Sequence, residues 1–271
     1  MDLHCHSLYS DGTYTPRQLV DLALQMSFSG LSITDHDTIE AFDEAYPYAT
    51  EKGLIFLPGV EISSKFRDEP VHILGYSFDP HAQSLIDFCK QHRERREIRN
   101  QMMLEKLSRA GMTVTMEEVK ALSPHATTYG RPHIALAMMQ RGYVEDISFA
   151  FRHYLGSGRS CYVEGDKWTV QEAIGAIHTA RGKAVLAHPQ LLKARSPIED
   201  LLALPFDGIE AYYASMNADV NRRWCEIAQR HGLFVTGGSD FHGKVKPESR
   251  FGSSWAPEGT IQLLQQHFLS L

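Results

Sequence analysis

The 271-residue chain has only four cysteines, Cys5, Cys89, Cys161 and Cys225, with no Cys-x-x-Cys pair among them. That scarcity excludes a disulfide-stapled scaffold and a cysteine-rich structural zinc site, and it suits thiols kept reduced. Apolar runs are short as well. None reaches the roughly 18 to 20 residues needed to span a bilayer, and Met1-Asp2-Leu3-His4 opens without a basic and apolar leader, so a cytoplasmic protein is predicted. Positive charge is not in excess: 27 Lys and Arg against 33 Asp and Glu leave a formal net charge of -6. Wrapping of long nucleic acid by bulk charge is thereby excluded, although a local basic pocket is not. No internal repeat or low-complexity tract occurs. There is also no Gly-x-Ser-x-Gly elbow, no Walker loop and no Gly-x-Gly-x-x-Gly after a strand, which removes the common serine-hydrolase, P-loop and dinucleotide-binding readings. Against this ordinary globular background, 14 histidines stand out.

Short apolar runs alternate with amphipathic stretches, the pattern of β/α units. Strands are predicted at 1–6, 31–34, 54–60, 71–76, 184–187, 208–211 and 233–236. Thr15-Pro16-Arg17-Gln18 and Thr169-Val170-Gln171-Glu172 each place Thr at an N-cap with a Gln or Glu three residues on, so helices are expected to start there. From 82 to 158 the strand signal disappears. A long charged helix over 84–110, a short one over 115–122, and two more over 132–141 and 145–154 are predicted instead. The chain is thus expected to form an α/β domain from 1–81 and 159–271, interrupted by a helical insertion at 82–158, with turns at Asp79-Pro80 and Gly156-Ser157-Gly158 marking the joins.

The histidines and carboxylates fall at meaningful places on this map. His4 and His6, two apart on a strand, face the same side. Asp11 follows in the loop, Asp35-His36-Asp37 closes the second predicted strand, Glu61 the third, and His72 lies in the fourth. His188-Pro189 and Asp240-Phe241-His242 follow two later strands. In a barrel of parallel strands these ends converge, bringing together His4, His6, His36, His72, His188 and His242 with Asp11, Glu61 and Asp240. Imidazole mixed with carboxylate suits Mn, Fe or Zn, and the ligands are too many for one tetrahedral ion, so two or three divalent ions are expected, with Glu61 able to bridge. Gathering so many buried groups without a cation to pair them would be costly. His81, His92, His125, His153, His178, His231 and His267 are read as structural.

The order His4-x-His6, Asp11, Thr34-Asp35-His36-Asp37, Gly59-Val60-Glu61, His72, Ala187-His188-Pro189 and Gly238-Ser239-Asp240-Phe241-His242 resembles the polymerase and histidinol phosphatase (PHP) family across essentially the whole chain. The resemblance implies a distorted seven-stranded β/α barrel with a trinuclear metal centre, and carries over His4, His6, Asp11, His36, Glu61, His72, His188, Asp240 and His242 as ligands. It is strongest to a stand-alone branch with a helical insertion, whose members are 3',5'-nucleoside bisphosphate phosphatases and, in some cases, 5'-3' exoribonucleases. A water activated between two metal ions would attack phosphorus in line without a protein nucleophile. Asp11 and His242 are candidates for assisting proton transfer as well as holding metal. The alternatives are a phosphatase for a small metabolite such as histidinol phosphate, and a non-catalytic metal-binding module, against which the intact ligand set argues.

Substrate recognition is expected from the insertion. Arg93, Arg96 and Asn100 recur at helical spacing with Arg99 beside them, either reaching phosphate or forming a solvated face paired with Glu94 and Glu97. Gly130-Arg131-Pro132-His133 starts a helix, where free amides favour an anion. The resemblance implies that Arg131 contacts substrate, while His133 serves either substrate or the cap. Tyr129, Phe151 and Tyr154 either stack on a base or belong to a core. The expected partner is a small phosphorylated substrate, a nucleotide or short RNA 5' end. No stable protein partner is predicted.

Overall fold

The computed structural model describes residues 1–193, 197–214 and 216–271. Its main sheet is mixed. β3 (Gly59–Phe66) pairs antiparallel with β4 (Glu69–Tyr76), and β4 antiparallel with β6 (Lys183–Leu186). β6 continues in parallel to β7 (Gly208–Tyr213) and β8 (Phe234–Gly238), and the short β5 (Trp168–Thr169) joins the other edge of β3. β1 (Gly30–Leu31) and β2 (Ile55–Phe56) form a separate parallel pair. The all-parallel arrangement expected from sequence is therefore corrected at β4. Only Arg67 and Asp68 separate it from β3, and a connection that short can join only antiparallel neighbours.

The expected first strand, 1–6, makes only isolated bridges at Asp2 and Cys5. The buried Asp2 carboxylate explains the interruption. Its Oδ1 accepts the amides of His4 and Ser239, at 3.2 and 2.9 Å, which would otherwise be free to join a ladder. The segment is nonetheless pinned on both sides: Asp240 N–H donates to His4 O at 2.7 Å, and Ser32 and Thr34 N–H donate to Asp2 O and Cys5 O at 3.1 and 2.9 Å. Gly238 allows this approach, since a Cβ there would lie 2.3 Å from that of His4. On the far side of β1, Glu61 N–H donates to Asp35 O at 3.1 Å.

The Thr15 and Thr169 capping boxes open α1 (Pro16–Gln25) and α7 (Val170–Thr179), and Thr115 opens α4 (Met116–Leu122) in the same way. Numbered in chain order, the other helices are α2 (Ala41–Glu51), α3 (Gln83–Arg109), α5 (Arg131–Gln140), α6 (Ile147–Ala150), α8 (Ile198–Leu202), α9 (Ala218–Arg230) and α10 (Glu258–Leu269). α6 runs into a wide π-helical turn at Phe151–Leu155, so the helix expected over 145–154 is shorter and irregular. α3 joins two cores. Leu85 and Cys89 pack with α7 against the main sheet, while Met103, Leu104 and Leu107 pack with Val119, Ile134, Met138 and Leu155. Among the described residues no helix is long and apolar enough to cross a membrane.

Candidate metal centre and substrate cavity

Glu61 lies at the hub of the site. It shares a face of β3 with Ser63, which is opposite His72 on β4, so strand register alone brings the carboxylate and that imidazole together. Glu61 Oε1 lies 2.7 Å from His72 Nδ1 and 3.0 Å from His188 Nε2. Its Oε2 is 3.1 Å from His6 Nε2, 3.1 Å from His36 Nδ1 and 3.4 Å from His4 Nε2. Asp240 Oδ1 lies 3.4 and 3.3 Å from the same nitrogens of His4 and His6. Asp11 Oδ1 is 3.4 Å from His242 Nε2 and 3.8 Å from His6 Nδ1. All nine residues singled out by sequence are therefore brought to one place. Three subsets have ligand atoms within 4.8 Å of one another: His6, Asp11, His36 and His242; His4, His6, Glu61 and Asp240; and His36, Glu61 and His72.

This donor set fits divalent cations. Among the described residues, His4 Nε2, His6 Nε2, His36 Nδ1, Asp11 Oδ1 and Glu61 Oε2 are buried with no hydrogen-bond partner, and all belong to this cluster. Orphaned lone pairs in such a concentration are expensive unless a cation satisfies them. Tautomers are set to match. His4 Nδ1 donates to Glu210 Oε1 at 2.8 Å and His242 Nδ1 to the Asp240 carbonyl at 2.9 Å, which turns each Nε2 lone pair towards the carboxylates.

The same geometry controls protonation. Burial alone would raise the Glu61 carboxyl, but His36, His72 and His4 more than offset it and hold it well below the usual range. Burial likewise opposes charge on Asp11 and Asp240, and neighbouring imidazoles again keep both ionised. Burial pushes His36 down to about 3, whereas the Asp240 and Glu61 carboxylates beside His6 overcome burial there and push it up to about 10. A metal ion held through His6 would have to displace that proton. Metal affinity, followed by competition with a chromogenic chelator, should accordingly fall by about tenfold per displaced proton for each unit of decreasing pH between 8 and 6. An affinity flat across this range would contradict ligation through His6.

Three residues of the site region lie in the left-handed region without being glycine: Asp37 at φ +53°, His188 at φ +25° and Asp240 at φ +50°. Such backbone persists only where surrounding contacts overdetermine it. Asp35 performs a comparable task for the loop that presents Asp11, accepting from Ser7 N–H, Ser7 Oγ–H and Ser10 Oγ–H at 2.7, 2.5 and 2.6 Å. Gly12 in that loop sits where a Cβ would be 2.1 Å from His6 O.

Over the cluster opens a cavity of about 630 Å³, within the range of small-molecule sites. Asp11, His36, Glu61, His72, His188, Asp240 and His242 reach its surface, and Arg96, Arg99 and Arg131 line its wall. Arg96 is anchored: its Nε donates to Asp37 Oδ2 and its Nη2 to Ser63 Oγ, both at 2.6 Å. Arg99 is less satisfied, with Nη2 on Asn100 Oδ1 at 2.9 Å and a buried Nε without a partner. Burial, together with the Arg96 and Arg131 guanidiniums, depresses it to about 9. A guanidinium keeps its proton at neutral pH, so this depression expresses an unmet demand for an anion. Arg131 lies 5.4 Å from the ring centroids of both Phe151 and Tyr162.

Asn100 and His133 are not brought to this cavity. Asn100 is fully buried and donates to Tyr129 O at 2.9 Å. His133 uses both nitrogens, accepting from Gly130 N–H at 3.0 Å and bonding Ser10 O at 2.9 Å, which makes it the helix cap and a tie to the Asp11 loop. Asn100 is thereby corrected from a substrate contact to a support, and of the two roles open to His133 it is the cap that is found, because the polar atoms of both are already committed. Arg93 likewise donates to Asp37 O at 3.2 Å. Tyr129 and Tyr154 pack against the helical core, whereas Phe151 also reaches the cavity.

The sequence reading missed Glu210, which orients His4 and accepts the His188 amide at 2.7 Å. A carboxylate inside the apolar run Gly208-Ile209-Glu210-Ala211 was the available signal. It also missed Lys167, whose ammonium bonds Glu164 at 2.6 Å on the cavity wall, and Lys246 and Tyr213 beside Asp240. These basic and aromatic residues carry no spacing signal.

A buried imidazole–carboxylate cluster under a cationic cavity is the make-up of a metal-dependent phosphoesterase, and the protein is an enzyme of that class. The chain belongs to the PHP domain family, whose model matches residues 2–180. It is 35% identical over 249 residues to a 5'-3' exoribonuclease of Haemophilus influenzae, covering 89% of each. It is 34% identical over 247 residues to the 3',5'-nucleoside bisphosphate phosphatase of Chromobacterium violaceum, covering 89% of this chain and 87% of that one. A solved structure from Bifidobacterium adolescentis, assigned as a metal-dependent phosphoesterase, matches with a TM-score of 0.89 at 33% identity over 98% of this chain and 95% of its own.

Proposed function

We propose that the enzyme hydrolyses the 3'-phosphate of nucleoside 3',5'-bisphosphates and, by the same geometry, releases nucleotides from the 5' end of short RNA. The observation that carries this reading is the buried, unpartnered Nε of Arg99 beside Arg96 and Arg131, on the wall of the cavity that opens over the cluster. A monoester held at the cluster needs little further cationic recognition; a second phosphate does. With a 5'-phosphate on the arginines, the 3'-ester faces the cluster whether its far side carries a hydrogen or another nucleotide.

His4, His6, Asp11, His36, Glu61, His72, His188, Asp240 and His242 are assigned as ligands of two or three divalent ions, Mn, Fe or Zn. Bound there, such ions supply water activation and Lewis acidity towards phosphoryl oxygens. Glu61 orders the cluster by offering both oxygens. Asp11 and His242, whose Oδ1 and Nε2 lie 3.4 Å apart on the cavity lining, are assigned to assist proton transfer, Asp11 through a carboxylate oxygen left off the ions and His242 only while its Nε2 is not on one. Arg99 and Arg131 orient the substrate, and Arg96 braces that wall through Asp37.

We read the architecture as a distorted seven-stranded barrel closed by the 1–6 segment between β8 and β1, with 82–158 as a substrate-capping insertion. The backbone bonds of 1–6 to both neighbours support the first reading, and the separate helical core supports the second. We place the enzyme in the cytoplasm, in keeping with its four free cysteines.

Phosphate release from 3'-phospho-AMP, histidinol phosphate and a 5'-phosphorylated RNA oligomer, measured on Mn-loaded protein, tests the assignment. Preference for the bisphosphate or the oligomer is expected. A clear preference for histidinol phosphate would replace it with the small-metabolite reading.

A further inference from the structure

Asp240 divides its two oxygens between different surroundings. Oδ1 faces His4 Nε2 and His6 Nε2 at 3.4 and 3.3 Å. Oδ2 faces the opposite way, accepting from the Tyr213 hydroxyl at 2.6 Å and the Lys246 ammonium at 2.5 Å. Lys246 also lies 3.0 Å from the Tyr213 hydroxyl, and its Nζ is 5.6 Å from that ring's centroid. Tyr213 is itself buried, its ring 5.6 Å from His188. The Asp240 backbone is held in the left-handed region with its N–H on His4 O. Main chain, hydroxyl and ammonium together leave this carboxylate one orientation.

We propose that Lys246 is a positioning residue of the metal centre: with Tyr213 it occupies Oδ2 of Asp240, so that the carboxylate offers the cluster only Oδ1, and its charge keeps that oxygen a weak donor. The inference rests on the reading of Asp240 as a metal ligand. Two physical consequences separate it from simple packing. An ammonium bonded to the outer oxygen draws charge from the carboxylate, and a ligand that donates less leaves the ion a stronger Lewis acid. The same ammonium stands close to the cluster as a like charge, opposing cation binding. Lys246 therefore favours turnover at some expense of metal affinity.

The test is Lys246→Met, with Lys246→Gln and Lys246→Arg alongside. Position 246 is in a loop and its side chain is 29% exposed, so these changes spare the core. Mn affinity is measured by calorimetric titration of metal-free protein, and kcat and KM on an aryl phosphate at saturating Mn. For K246M we expect kcat to fall about tenfold, KM to stay within about twofold, and Mn to bind as tightly as in wild type or several-fold tighter. K246Q, which keeps a hydrogen bond but no charge, should follow K246M, and K246R should return kcat to within about threefold of wild type. Mn affinity falling in step with kcat would reduce Lys246 to packing and overturn the proposal. So would a raised KM with kcat intact, which would make Lys246 a substrate contact, or no change at all. Failure of the wild-type chain to bind Mn would instead overturn the metal reading itself, and this proposal with it.

Discussion

Glu61→Gln should leave a folded protein whose phosphoesterase activity is reduced by on the order of 10³-fold or more, with a lower metal content that excess Mn does not restore. The effect is large because five imidazoles meet this one carboxylate, three at Oε2 and two at Oε1. Gln preserves volume and one carbonyl oxygen. It removes the charge that holds the cluster together and turns one lone-pair site into an N–H donor aimed at ring nitrogens. Metal analysis of the purified variant checks the account directly. Wild-type metal content with wild-type activity would mean that Glu61 merely pairs with protonated histidines.

The second large effect is one of selectivity. Arg131→Ala should lower kcat/KM on 3'-phospho-AMP by about 10- to 100-fold, the equivalent of about 1.5 to 3 kcal/mol for a charge-assisted hydrogen bond. On an aryl phosphate, which has no second phosphate, the change should stay within about threefold. Arg131 suits this role because it is braced by Phe151 and Tyr162 and, among the described residues, has no carboxylate within ion-pair distance. Its only direct hydrogen bond among the described residues is a long one, 3.4 Å, to Leu155 O. A parallel loss on both substrates would assign the residue to folding or to the chemistry itself.

The convergence of these histidines and carboxylates was legible in the sequence because they sit where a strand ends or alternates, and the alternation in His4-x-His6 by itself implies a shared face. The supports around it were less so. Asp37 stood in a recognised motif, yet its function depends on Arg96, 59 positions away, reaching back to its carboxylate. Asn100 matched the helical stripe of Arg93 and Arg96 by spacing alone, but in the fold it faces Tyr129 O instead of the cavity. Spacing predicts which residues share a helix face; what that face meets depends on contacts distant in sequence. The same limit applies to β4, whose apolar pattern is independent of strand direction. It also applies to Asp2, whose carboxylate captures the amides of His4 and Ser239. Glu210 was visible as a charge in an apolar strand, although its partner, His4, lies 206 positions away.

The central claim is that this cluster holds the metal ions on which hydrolysis depends. Its most direct test is to strip the protein with a chelator and titrate Mn back, following bound metal per chain and phosphate release from 3'-phospho-AMP in the same samples. Negligible release is predicted from the stripped protein, with activity returning in proportion as two to three ions bind per chain. Full activity in the metal-free protein, or stoichiometric rebinding without any return of activity, would contradict it.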